Sequence, residues 1–153
     1  MKFSTREDID LPLDKVFAQV SDLDQFERAA LRRGVKIRRL DSHPDARAGM
    51  QWEMDFVLRG KERHLEAQMI SYDPPNGMMF EGKSGGMLHH LTVDLTPLSK
   101  KRTRLQLELE LKPRSLPARL LIQSFKLGKQ KLNKKFKQRI TDFARDMEKS
   151  AAR

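Results

Sequence analysis

The chain has 153 residues and a mass of 17.8 kDa, and we expect one domain spanning 1–153. Apolar residues make up 38% and charged ones 34%, too much hydrophobic material for a disordered chain. The absence of cysteine excludes a disulfide scaffold and every thiolate-based metal or nucleophile site. No apolar run approaches the ~20 residues of a membrane span and no signal-like hydrophobic region opens the chain, so a cytoplasmic protein is expected. The formal charge of +10 is concentrated: residues 100–139 carry a net +12, whereas 1–30 and 64–99 are each −3. Any claim about an anionic partner therefore belongs to that segment.

Residues 2–11 alternate, with Phe3, Thr5, Glu7, Ile9 and Leu11 on one side, which predicts a half-buried strand. Leu13, Val16, Phe17 and Val20 then switch to helical spacing behind Pro12. A second short helix starts at Asp22, which can cap it with Gln25 reaching back, and stops at Gly34. Val35–Leu40 predicts a strand, followed by a loop over Ser42–Gly49. Met50, Trp52, Met54, Phe56 and Leu58 share the inward face of the next strand. Gly60 marks a turn, and Leu65, Ala67 and Met69 point inward on the return. Asp73-Pro74-Pro75-Asn76-Gly77 is a turn signal. Short strand Met78–Gly82, the Lys83–Gly86 connection, and the alternating runs from Met87 to Leu95 and from Leu105 to Leu111 complete the hairpins.

Pro113 ends the strand pattern and Ser115 can cap a helix running to about Lys149. Ala118, Leu121, Ile122, Phe125, Leu132, Phe136, Ile140, Phe143 and Met147 fall in one sector of that helix. Gly128 within it predicts a bend or a close approach. The predicted fold class is α+β: a curved antiparallel sheet of about seven strands around a long C-terminal helix, with two short helices after the first strand.

This order, together with Ile9-Asp10-Leu11-Pro12-Leu13-Asp14-Lys15-Val16-Phe17, Val20-Ser21-Asp22-Leu23 and the 73–77 turn, resembles the START/Bet-v-1-like superfamily. That superfamily (SRPBCC, with polyketide cyclase/dehydrase and lipid-transport members) has the helix-grip fold. The resemblance implies a cavity between sheet and helix for an apolar or amphipathic small molecule, and members that are carriers, cyclases or hydrolase activators. It implies no single catalytic motif.

The inward residues chosen as the ligand lining are Trp52, Met54, Phe56, Met69, Phe80, His89, Leu91, Leu107, Leu121 and Phe125. Lys129, beside Phe125 and Phe136 on the wheel, is placed with them as a candidate for an acidic ligand head. Met50, Met54, Met69, Met78, Met79 and Met87 suit either a pocket for variable shapes or ordinary core filling. His89 suits a ligand contact, a base, or a satisfied polar group. His89 and His90 are adjacent on a strand, face opposite sides and cannot chelate together; His43 and His64 lack zinc spacing. No metal, cofactor or catalytic constellation is expected. Glu7 alone among the carboxylates shares an apolar side, and a water-open strand end is the simplest account of it.

Apart from Lys129, the lysines at 126, 131, 134, 135 and 137, with Arg139, spread over more than half of the helix circumference, outside the buried sector. That distribution predicts a solvated back surface rather than a groove-reading stripe, so nucleic acid is not the expected partner. Leu116, Leu120 and Leu127 lie opposite the buried sector among lysines, which suits an anionic bilayer, a homodimer or packing under a loop. The leading functional reading is a binding or transfer protein for a lipid-, quinone- or polyketide-like molecule. Its alternatives are a cyclase/dehydratase using His89 with Glu7 or Lys129, and a nucleic-acid- or protein-binding module using residues 100–139.

Overall fold

The computed structural model describes residues 1–152. Strand β1 (Lys2–Ile9) is followed by helices α1 (Leu13–Val20) and α2 (Leu23–Arg32). Strands β2 (Lys36–Arg39), β3 (Gln51–Leu58), β4 (Lys61–Asp73), β5 (Gly77–Ser84), β6 (Met87–Ser99) and β7 (Arg102–Pro113) come next, and helices α3 (Leu116–Leu127) and α4 (Lys129–Ala151) end the chain. All neighbouring strands pair antiparallel in the order β1-β7-β6-β5-β4-β3-β2. This is the helix-grip arrangement: hairpins build one sheet, β1 closes beside the last strand, and the C-terminal helices cover its inner face.

Local chemistry accounts for most boundaries. The Asp22 carboxylate accepts from the Gln25 N–H at 3.3 Å, and the Ser115 hydroxyl from the Ala118 N–H at 3.2 Å, each satisfying a first-turn donor. Arg59 and Gly60 both have positive φ, 56° and 72°, the geometry of a two-residue hairpin turn. The single C-terminal helix expected from the periodicity is divided: Gly128 (φ −116°, ψ 24°) separates α3 from α4. A side chain at 128 would meet nothing within 4 Å, so this glycine marks the break and not a close approach. Gly86 is the opposite case. Its φ is +80°, and a side chain there would collide with the Ser115 hydroxyl, so the β5–β6 turn can support the start of α3 only as glycine.

Two buried clusters anchor the helices to the sheet. Ile9, Val16, Met69, Met78, Leu105, Ala144 and Met147 belong to one, which joins α1 and the end of α4 to the sheet. Phe3, Met87, Leu111, Ala118, Ile122 and Phe125 form the other, under α3. β1 is an edge strand, and α4 caps part of it: Arg145 donates to the Asp8 carbonyl at 2.9 Å, and the Asp10 N–H to Glu148 at 2.8 Å. Such contacts occupy edge groups that otherwise invite another strand. Among the described residues no helix is long and apolar enough to cross a membrane.

Candidate functional site

The register sorts the inner face into rows. Trp52, Ala67, Gly82, His89 and Leu111 stand in one; Met69, Phe80, Leu91, Leu109 and Phe3 in the next; Met78, Val93, Leu107 and Thr5 in a third. At the margins Trp52, Met69, Met78, Leu111 and Phe3 are buried and Thr5 is half-buried, and within the rows Gly82 and Val93 are buried as well. Phe80, His89, Leu91, Leu107 and Leu109 in their middle are only half-buried, as are Met54, Phe56 and Leu65 towards β3. On the helices Leu121 is half-buried beside the enclosed Ile122, and Leu132, Phe136 and Ile140 are half-buried between the enclosed Phe125 and Ala144. These half-buried apolar side chains border the two clusters, Phe80, Leu91, Leu107 and Ile140 packing against the first and Leu109, Leu121, Leu132 and Phe136 against the second, and each keeps part of its surface accessible. A densely packed interior would leave little of that surface accessible.

The ends of this apolar stretch are held by polar contacts. Near α2, the Trp52 indole N–H donates to Glu27 at 2.7 Å, and its ring packs against Phe80 with centroids 6.1 Å apart. The Arg39 guanidinium lies 5.9 Å from the Trp52 ring and is bound by Asp41 through contacts of 2.7 and 3.1 Å. Asp41 also accepts the His43 and Gln51 N–H groups at 2.9 and 2.8 Å. The Arg39 guanidinium, helped by those N–H groups, holds its carboxyl far below the usual carboxylate range. At the other end Arg59, on the β3–β4 turn, reaches 5.6 Å from the Phe125 ring of α3.

His89 is the polar member of the inner face. Burial lowers its pKa, so its ring is neutral near pH 7. Its Nε2 is buried and has no hydrogen-bond partner among the described residues. A neutral imidazole offers one donor and one acceptor, and the one at Nε2 is unused.

The sequence-chosen lining residues divide by burial. Met54, Phe56, Phe80, His89, Leu91, Leu107 and Leu121 are the half-buried members, whereas Trp52 and Phe125 are nearly enclosed at 5% and 8% exposure. Met69 has no accessible surface and is packed in the first core cluster. Lys129 is exposed at the first turn of α4. Of the six clustered methionines, Met50, Met69, Met78 and Met87 are buried, which is core filling. Leu65, Leu109, Leu132 and Phe136 share the half-buried faces although only their inward phase was legible. Glu27 and Arg39 were missed, since their partners are distant in sequence or lie on another element.

Glu7 corrects the expectation of a water-open strand end. Its carboxylate accepts from the Thr141 hydroxyl and meets Arg145 at 3.4 Å, with its side chain 16% exposed. Glu7 sits opposite Leu105 and His89 opposite Leu111 on β7. Six residues of strand separate those two levels, about 20 Å at ~3.3 Å per residue. The two groups are thus not assembled as an acid–base pair. Among the described residues no cluster of His, Asp or Glu is arranged to hold a metal ion.

Solved structures of similar shape cover nearly the whole chain. A protein of Thermus thermophilus superimposes with a TM-score of 0.71 at 15% identity, covering 100% of both chains. The Zhui aromatase/cyclase of Streptomyces sp. R1128 gives 0.69 at 11% identity, covering 99% of this chain and 95% of its own. A START superfamily protein of Mycobacterium smegmatis gives 0.57 at 13%, covering 88% and 95%. At these identities the likeness establishes the fold alone. No curated protein matches the sequence. The family model described as polyketide cyclase / dehydrase and lipid transport matches residues 1–150, and the chain belongs to that family.

Proposed function

We propose that this protein is a cytoplasmic carrier for an apolar or amphipathic small molecule, lipid-, quinone- or polyketide-like, held between the inner face of the sheet and the C-terminal helices. The observation that carries this reading is the set of apolar side chains left half-buried on both layers, Leu91 and Leu107 on the inner face of the sheet and Leu121 and Phe136 on the C-terminal helices. A carrier is favoured over a cyclase because Glu7 is committed to α4 and is far from His89. In this reading His89 gives the ligand its one polar contact, and a ligand hydroxyl or carbonyl satisfies Nε2. Native mass spectrometry of protein exposed to a long-chain alcohol is expected to show a retained 1:1 complex. His89→Leu is expected to weaken it five- to tenfold, the scale of one neutral hydrogen bond of ~1 kcal/mol. A wild-type spectrum free of bound alcohol, and of any ligand from the source cell, would remove the proposal.

The carrier exchanges its cargo at an anionic bilayer. Leu116, Leu120 and Leu127 are 69%, 56% and 92% exposed on α3. They lie in a stretch, residues 111–141, with ten basic and no acidic residues. Exposed leucines ringed by cations match a negatively charged membrane surface. Leu127→Asp is expected to reduce co-sedimentation with phosphatidylglycerol vesicles about tenfold and to leave the melting temperature unchanged. A dimer that this substitution dissociates, with vesicle binding intact, would instead assign the face to a second copy.

A further inference from the structure

We propose that a second cleft, at the edge of β1 against α4, binds the phosphate group of an anionic ligand. The cleft has a volume of about 540 Å³ and is lined by Arg6, Glu7, Asp8, Arg102, Arg104, Lys137, Thr141 and Arg145. It lies outside the apolar space described above and does not depend on the carrier reading. Five cations face it against two carboxylates, and both carboxylates are already committed. Asp8 takes Arg104 through contacts of 2.8 and 3.3 Å. Arg104 foremost, with Arg102 and Arg6 nearby, keeps its carboxyl below the usual range. Glu7 is taken by Thr141 and Arg145.

The surplus is positive. Among the described residues the side chains of Arg6 and Lys137 have no hydrogen-bond or ion-pair partner, and both are exposed. Arg102 meets Asp10 at 3.4 Å with both side chains more than half exposed, where an ion pair contributes little. Arg145 adds a second sign. Its terminal nitrogens reach Glu7, Glu148 and the Asp8 carbonyl, yet its buried Nε has no acceptor among the described residues. An unsatisfied buried guanidinium N–H is an uncommon feature, and Arg145 lines the cleft together with four further cations, Arg6, Arg102, Arg104 and Lys137. Guanidinium groups match phosphate oxygens in both geometry and charge, and a group carrying about two negative charges fits this surplus better than a carboxylate.

The phosphate has two possible sources, a soluble phosphate ester or a lipid headgroup, and two measurements separate them. Isothermal titration of the full chain with pyrophosphate, at ionic strength held constant with NaCl, is expected to show binding. The double variant Arg6→Gln/Lys137→Gln is expected to weaken that binding at least tenfold with an unchanged melting temperature, because neither side chain supports the fold. Phosphatidic acid vesicles that displace pyrophosphate from the wild type would assign the site to a lipid headgroup. Failure to displace it would assign the site to a soluble ester. Undetectable pyrophosphate binding, or equal binding by the double variant, would overturn the proposal.

Discussion

Leu91→Trp is expected to abolish retention of a long-chain alcohol while leaving thermal stability within about 0.5 kcal/mol of the wild type. Leu91 sits in the middle row, between Phe80 and Leu109, and is half-buried. If the space between the clusters is open to a ligand, the indole occupies it and excludes the ligand, a loss of at least tenfold, or ~1.4 kcal/mol. If the interior is solid, the same substitution overpacks it and costs about 1–3 kcal/mol. Melting and binding measured on one variant thus separate a cavity from a core. A large drop in melting temperature would count against the carrier reading as strongly as an absent ligand.

Asp41→Asn is expected to destabilise the protein by about 2–3 kcal/mol near pH 7. Asp41 joins the end of β2 through Arg39, the following loop through the His43 N–H, and the start of β3 through the Gln51 N–H. Losing the charge leaves the Arg39 guanidinium, 23% exposed, without its main partner beside Trp52. For a chain of this length the corresponding fall in melting temperature is roughly 5–10 °C. The sign of the pH dependence follows from the lowered carboxyl. Its folded-state pKa lies below the unfolded value, so its contribution is complete above about pH 4 and declines as pH falls further. Melts of wild type and D41N should therefore stay evenly separated from pH 7 to about pH 4 and converge below it. A constant gap down to pH 2 would show that the carboxylate charge contributes nothing.

These two residues illustrate different degrees of legibility. Leu91 was identified from alternation because a strand turns every second side chain to one face, whatever the strand packs against. Asp41 was not, because its role depends on three backbone segments meeting at one carboxylate. Asp22 and Ser115 were legible as caps, since each bonds to an N–H three residues on.

The alternation of the strands, the two faces of the sheet and the helix starts follow from spacings of two to four residues, and the concentration of positive charge after residue 100 from composition alone. Local periodicity and capping act over that distance, so composition and order were enough for the helix-grip fold. The division of the last helix at Gly128 and the commitment of Glu7 to Thr141 and Arg145 needed the assembled molecule. So did the partial burial of the inner rows and the cleft that Arg6 and Lys137 line together. Glu7 and its partners are 134 and 138 positions apart. How closely a helix approaches a curved sheet is set by contacts at that range, which periodicity does not encode.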